Sequence, residues 1–336
     1  MLFLALETSC DETAAAVLTD EPRVLSNVVA SQDDLHARFR GVVPEIAARA
    51  HLRNLLPVVD QALRQANVTL ADIGCIAVHN TPGLVGALLV GVSAAKMLSV
   101  ALAVPLVAVN HIASHIYACR LAAGRDIFPC VGLVVSGGHT ALFQCDDALS
   151  MRLLGGTRDD AAGEAFDKVA AILGLGFPGG PAVEREAVSG DPKAFDFPRS
   201  FLSDGRLEFS FSGLKTAVLY TLHGQDVSKA APPPPGKLRA DLAASFQQAV
   251  VDVLVGKCKQ ALRQPGLKRL AVGGGVTANT VFRSALEAMV AKEGAELFMP
   301  PSSLCTDNAA MAALAVEKWR RGEFAPLDLD AEPNFL

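Results

Sequence analysis

Two stretches far apart in the chain share one plan, and this repetition constrains the fold more than any other feature. Residues 2–6 (LFLAL) form an apolar run, residues 7–13 a small acidic turn, and residues 14–18 (AAAVL) a second apolar run. Residues 131–135 (VGLVV), the turn Ser136-Gly-Gly-His139 and residues 140–144 (TALFQ) repeat it. Each predicts a β-hairpin whose turn is rich in Gly, Ser, Thr or Asp, followed by further strands and then helices. A chain of 336 residues that is 51% hydrophobic has room for about two domains. The repetition therefore reads as an internal duplication with one hairpin-led unit in each half.

Between the hairpins strand and helix alternate. Apolar periodicity predicts helices over residues 43–66, 84–103, 112–122, 161–173, 213–222, 238–262 and 278–291. Strands are expected over 73–78, 106–109, 270–272 and 297–299. This alternation implies an α/β fold with covered sheets. Residues 84–109 contain one charge, Lys96, and are long enough to span a bilayer, but Pro105 and several small residues favour a buried helix leading into a central strand.

Formal charge is −5, so no overall basic footprint marks a nucleic-acid-binding domain. Seven cysteines without a Cys-x-x-Cys pair point to free thiols in a reducing compartment, and residues 2–6 lack the basic flank of a signal peptide. A cytoplasmic protein is expected.

Three glycine turns carry chemistry. Gly273-Gly-Gly-Val-Thr-Ala-Asn279 follows a strand and opens a helix, where glycines let backbone N–H groups approach a phosphate. It matches neither the dinucleotide fingerprint nor a Walker A loop. Ser136-Gly-Gly-His-Thr140 and Pro178-Gly-Gly-Pro181 have the same logic, and three such turns favour a phosphate-bearing ligand. His111 and His115 stand four apart on an expected helix, so both imidazoles can face one metal ion, although residues 112–114 (IAS) lack a metallopeptidase's glutamate base. Asp159 or Asp160 reads as the cap of the helix that follows, whereas Asp11 and Glu12 have no helix to cap and are better placed for function.

An ordered series of motifs then runs almost end to end: Glu7-Thr-Ser-Cys-Asp-Glu-Thr13, Gly41-Val-Val-Pro-Glu45 with Arg49 and His51, and Pro82-Gly-Leu-Val-Gly-Ala-Leu-Leu-Val-Gly91. After Ser136-Gly-Gly-His-Thr140 come Asp159-Asp-Ala-Ala-Gly-Glu-Ala-Phe-Asp-Lys168, Phe209-Ser-Phe-Ser-Gly-Leu-Lys-Thr216, Gly273-Gly-Gly-Val and Thr306-Asp-Asn-Ala-Ala-Met311. With these motifs the chain resembles the bacterial tRNA adenosine threonylcarbamoyltransferases of the TsaD family, once misnamed glycoproteases.

The resemblance implies the two-lobed actin, sugar-kinase and heat-shock-70 (ASKHA) fold, with a duplicated core and a ligand cleft. Residues 1–110 would form the N-terminal lobe, completed by a returning C-terminal helix at about 307–325, and residues 111–306 the C-terminal lobe. It implies transfer of threonylcarbamoyl from its AMP anhydride to the exocyclic amine of adenosine 37 in tRNAs reading codons that begin with A. By matching position, His111, His115 and Asp307 would hold one divalent metal ion, a two-histidine, one-carboxylate set that suits iron(II) best, with zinc as the other choice. Val134, Val135, Ser136, Gly137, Gly138, Asp167, Gly180, Glu184 and Asn279 would hold the adenylate, and Asp11 and Glu12 would be catalytic.

Partners would be tRNA, a TsaB-like pseudo-paralogue and a small TsaE-like ATPase. For tRNA the candidate basic residues are Arg38, Arg40, Arg49, Arg53, Arg263, Lys268 and Arg269. Three positions depart from the family pattern: Ala113 and Ser114 replace the usual Glu and Gly between the histidines, Thr81 replaces a Gly before Pro82, and Glu184 stands where Asp is common. The competing readings are an ASKHA-type small-molecule kinase and a non-catalytic nucleotide-binding partner subunit.

Overall fold

The computed structural model describes residues 1–39, 41–202, 204–224, 233–264 and 266–334. The chain divides into two compact units. One comprises Met1–Asp126, Asp147–Ser150 and Pro300–Leu336, the other Ile127–Asp146 and Met151–Met299.

In the first unit β1 (Leu2–Glu7), β2 (Thr13–Thr19) and β3 (Val24–Ala30) form an antiparallel meander. It is followed by α1 (Asp33–Ala37), α2 (Pro44–Ala66), β4 (Ile73–Thr81), α3 (Val85–Leu102), β5 (Leu106–Asn110) and α4 (His111–Ala123). Strand order is β3-β2-β1-β4-β5, with β4 and β5 added in parallel. Because strand side chains alternate, each strand feeds two cores at once. Leu4, Leu6, Ala15, Val17, Ile76 and Val78 lie in the core that includes Leu55 and Val59 of α2 and Val92 of α3. Phe3, Ala5, Ala14, Ala16, Cys75 and Ala77 lie in the other, with Tyr117 of α4 and the returning residues Ala309 to Val316.

That second core explains why the unit boundary differs from the sequence expectation. The chain divides after Asp126, not after residue 110, because Tyr117 ties α4 to the first sheet's core. The return begins at Pro300, and in place of one long helix it forms a 3-10 turn over Ala309–Leu314 that covers the sheet. Helix α3 is also less enclosed than expected. Ala87, Leu88, Gly91, Val92, Ala95 and Leu98 are buried along one face, whereas Val85, Leu89, Met97 and Val100 on the other remain exposed. Among the described residues α3 is the one helix long and apolar enough to cross a membrane, and it packs on β4 and α2.

The second unit repeats the plan. It contains β6 (Cys130–Val135), β7 (Thr140–Cys145), β8 (Met151–Gly156), α5 (Ala162–Ile172), α6 (Gly179–Ala187), α7 (Ser212–His223) and α8 (Gly236–Arg263). β9 (Arg269–Gly273), α9 (Thr280–Glu293) and β10 (Glu296–Phe298) complete it, and α10 (Ala315–Arg320) closes the first unit. Its strand order is β10-β9-β6-β7-β8, the first sheet's order read from the other edge. Phe166, Phe246, Phe209 and Phe211 fill the core under α5, α7 and α8.

Asp159 does cap a helix, but not the one that follows it. Its Oδ1 accepts from the Phe211 and Ser212 amides at 2.8 and 3.2 Å, and its Oδ2 from the Ser210 and Ser212 hydroxyls, both at 2.6 Å. It thus serves the N-terminus of α7 from more than 50 residues away, which accounts for the paired serines of the Phe209-Ser-Phe-Ser motif. Asp160 instead pairs with Lys168 at 2.7 Å. Partial burial opposes the charge of Asp159, but the serine hydroxyls and the two amides outweigh it and hold the carboxyl below its usual value. A depressed folded-state pKa contributes stability above the ordinary carboxylate range, lost as pH falls through the folded value. Asp159→Ala is expected to lower stability by about 1–2 kcal/mol at pH 7. In urea melts this difference should shrink toward zero as both proteins are acidified below about pH 3.9. An undiminished gap in acid would refute the assignment.

Candidate active site

The acidic turn between β1 and β2 is clamped by its neighbours at close range. Thr8 Oγ1 donates to Ala87 O at 2.8 Å, and Leu84 N to Ser9 O at 2.8 Å. A Cβ at Gly83 would stand 2.4 Å from Ser9 O, and one at Gly91 2.4 Å from Thr8 Oγ1. Gly83 and Gly91 are therefore needed for approach to this turn. His51 of α2 holds the turn's far end, its Nε2 donating to the Cys10 carbonyl at 3.0 Å while Nδ1 takes the Thr13 hydroxyl at 2.8 Å. Burial pushes His51 down, which keeps the imidazole neutral for this paired role. Thr81, one of the unusual positions, ends β4 where the C-terminal tail passes: Gly83 N donates to Pro333 O and Glu332 N to Asn80 O.

Helix α4 starts at His111, with Asn110 capping it by accepting from Ala113 N at 3.0 Å. His111 and His115 then lie one turn apart on a buried face, their rings 4.7 Å between centroids. Asp307 Oδ1 stands 3.5 Å from His111 Nε2 and 3.3 Å from His115 Nε2. The structure thus brings together three residues separated by nearly 200 positions.

The donor set fits a cation. Glu7 Oε2 lies 3.1 Å from His111 Nδ1 and, as a carboxylate, can only accept, so Nδ1 carries the proton. Neutral His111 then turns the lone pair of Nε2 toward Asp307 Oδ1, acceptor against acceptor. His115 Nε2 is buried without a hydrogen-bond partner among the described residues and faces the same oxygen. Ligands about 2.1 Å from one ion stand about 3.0–3.4 Å apart, close to the separations found. Without an ion the charge balance falls on a proton. Burial opposes it, but Asp307 and Glu7 raise His111 to about 9, while burial pushes His115 down. Asp307 and Glu7 are both held below the usual carboxylate range against their burial, Asp307 by His111 and His115, Glu7 by His79 and His111.

Asp11 and Glu12 sit in the same turn, with carboxylate oxygens within 4.8 Å of each other and of Asp33. Burial, then Asp307 and Asp11, push Glu12 well above its ordinary value. So much negative charge in a partly enclosed place attracts a cation or a proton.

In the second unit two glycine turns meet at the ends of β6 and β9, and the third packs on α5. Gly274, at φ +98°, passes so close to the β6 end that a Cβ there would stand 2.4 Å from Val135 O. A Cβ at Gly163, opening α5, would stand 2.6 Å from Ser136 O, and one at Gly179, opening α6, 2.5 Å from the Asp167 Cα. Gly137, Gly138 and Gly180 face open space, as a backbone cradle for an anion requires. Val134 and Val135 are buried in β6, so only their backbone can reach a ligand. Asp167 Oδ1 accepts from Gly179 N at 2.7 Å and so orders the Pro178-Gly-Gly turn. Asn279 caps α9 by accepting from Phe282 N at 2.9 Å and donates to Gln247 Oε1 at 2.7 Å. Glu184 takes Thr280 N and Oγ1 on one oxygen, at 2.8 and 2.6 Å, and with Gln247, Gln248 and Arg185 it lines a cavity of 490 Å³.

The family profile described as tRNA N6-adenosine threonylcarbamoyltransferase (TsaD) matches residues 23–314. The chain belongs to this family. A transferase of that name from Rhodopirellula baltica is 51% identical, covering 99% of this chain and 96% of its own. One from Syntrophobacter fumaroxidans is 52% identical over the full length of both. Among solved structures, T. kodakarensis HypF superposes with a TM-score of 0.62 at 13% identity, covering 96% of this chain and 48% of that one. The activator of 2-hydroxyisocaproyl-CoA dehydratase from Clostridium difficile, with bound ADPNP, gives 0.55 at 12%, covering 96% and 97%. These two share the ASKHA fold, with which the common strand order of the two sheets agrees.

For a TsaD-family transferase the kinase and partner-subunit readings are not favoured. Of the basic residues considered for tRNA, Arg263 and Lys268 are bound to Glu293, and Arg269 to Glu296 and Phe128 O. Arg38, Arg49 and Arg53 are exposed, and Arg40 lies outside the described residues. Sequence reasoning missed Glu7, His79 and Asp33 as members of the site. Glu7 stood in a quoted motif, but nothing in the sequence shows that its side chain turns inward to His111. Replacing Gly274 by Ala is expected to cost about 1–3 kcal/mol, since a Cβ would collide with Val135 and the φ is unfavourable. Adenylate affinity should fall with it, whereas Gly137→Ala should leave stability within about 0.5 kcal/mol; thermal melts and adenylate titrations of both variants test this.

Proposed function

We propose that this transferase moves the threonylcarbamoyl group from threonylcarbamoyl-AMP to the exocyclic amine of adenosine 37 in tRNAs reading codons that begin with A. The observation that carries the reading is the convergence of His111, His115 and Asp307 in a chain of this family. In this reading those three residues hold one divalent ion, iron(II) by preference and zinc otherwise. Bound there, it supplies Lewis-acid charge where the carbonyl or phosphate becomes more negative. The amides of Gly137, Gly138 and Gly180 hold the adenylate phosphate, and Asp167 and Glu184 orient the ribose side through the glycine turn and the adjoining cavity. Val134, Val135, Ser136 and Asn279 shape that cradle.

The amine attacks the carbamoyl carbon, the new N–C bond forms, the C–O bond to AMP breaks, and the amine's proton passes to Asp11 or Glu12. Exposed apolar side chains on α2 and α3, among them Leu52 at 68% and Leu56 at 64%, support docking of a protein such as a TsaB-like pseudo-paralogue. A TsaE-like ATPase would complete the cytoplasmic assembly. Arg49 and Arg53, one turn apart on α2, are the basic residues best placed to meet tRNA phosphates.

The test mixes the chain with threonylcarbamoyl-AMP, both partners and unmodified tRNA, then analyses digested nucleosides by mass spectrometry. A threonylcarbamoyladenosine peak that needs this chain is expected; phosphate transfer from ATP to a small molecule without that peak would overturn the reading. His111→Ala should lose bound metal and transfer together while keeping its circular dichroism spectrum. Asp11→Asn should retain adenylate binding and lose at least about 100-fold in turnover, and an unchanged rate would remove Asp11 from the chemistry.

A further inference from the structure

Behind the histidine pair lies a second buried layer of polar side chains. Glu7 is fully buried, and every contact of its carboxylate is to a fixed donor. Oε1 accepts from Ser9 N, while Oε2 lies 3.1 Å from His111 Nδ1 and 2.6 Å from His79 Nδ1, the latter off the line of a well-formed hydrogen bond. His79 comes from the end of β4 and is itself fully buried; its Nε2 lies 2.9 Å from Ser114 Oγ. Ser9 Oγ adds a contact to His111 Nδ1 at 3.1 Å. The donors and acceptors have one consistent arrangement: the Ser114 hydroxyl donates to His79 Nε2, His79 Nδ1–H faces Glu7, and Glu7 accepts from His111 Nδ1–H.

One of these residues, Ser114, stands at a departure noted in the sequence. Ala113 removes the carboxylate usual between the two histidines, and Ser114 supplies a hydroxyl where glycine is usual, within reach of His79. We infer that Ser114, His79 and Glu7 form a buried chain that positions His111, locking its tautomer and aiming Nε2 at Asp307. None of the three touches the reacting atoms. They act through His111, as outer carboxylates do for metal-bound histidines, where losing such a partner typically weakens binding about 10–100-fold. The inference rests on the metal reading given above, and its test separates the two.

Cobalt(II) serves as the probe, titrated into the full-length protein, with affinity measured by chelator competition and geometry by the visible absorption band. Glu7→Gln is expected to bind about 10–100-fold more weakly than wild type with an altered band. His79→Leu should weaken binding by a smaller factor, and His79→Gln, which keeps a donor toward Glu7, should recover part of the loss. Ser114→Ala, a mild change within a helix, covers the case in which the Glu7 or His79 variants fail to fold, and should weaken binding measurably while its melting temperature stays close to wild type. Affinity and band unchanged in these variants, with binding abolished by His111→Ala, would overturn the positioning role and leave the metal site standing. Equal cobalt binding by wild type and His111→Ala would overturn the metal site, and the inference with it.

Discussion

A fully buried carboxylate has to be matched by donors or it destabilises the fold that encloses it. Glu7 is such a group at the end of β1, and the first unit is arranged around its needs. The Ser9 amide reaches it from within the turn, His79 from β4 and His111 from the start of α4. Three elements are thereby fixed relative to one turn, and that turn also carries Asp11 and Glu12. The glycines at 83 and 91 let the neighbouring loop and helix come close enough to complete the enclosure. The candidate catalytic carboxylates and metal-ligand candidates thus share one rigid support, as a site that must hold its geometry requires.

The second unit meets its own requirement with backbone. Here glycines let neighbouring segments close up: Gly274 packs on Val135 at the end of β6, Gly163 of α5 on Ser136, and Gly179 on Asp167 of α5. Removing side chains at these contacts brings three chain segments together and leaves amides, not side chains, at the open positions. Backbone contacts of this kind depend little on side-chain identity, and HypF and a dehydratase activator share the fold at only 13% and 12% identity.

Much of this was legible in the sequence. The hairpin repeat announced two sheets of one strand order, and the long helices fell within a few residues of their expected ends, marked by amphipathic periodicity in α2 and α5 and elsewhere by apolar length between turn residues. His111 and His115 could be paired from their spacing alone. Asp307 could be joined to them only through the family resemblance, because no local pattern links positions so far apart. Three features escaped. Asp159 caps a helix distant in sequence, and capping rules look only at the next helix. The inward turn of Glu7 and the placement of His79 depend on which strands become neighbours. The open face of α3 was hidden by composition, since an apolar residue reads alike whether it meets the core or a partner.

The return of Pro300–Leu336 to the first sheet has an effect on the order in which the molecule can be made. Until Ala309 to Val316 have left the ribosome, one face of β1, β2 and β4 lacks its cover and the histidine pair lacks its carboxylate. The whole second unit is synthesised in that interval, as an insertion within an unfinished partner. A chain that terminates early can therefore complete the glycine turns of the second unit and still lack Asp307 beside the histidine pair, so the three-residue cluster exists only once synthesis has passed that point.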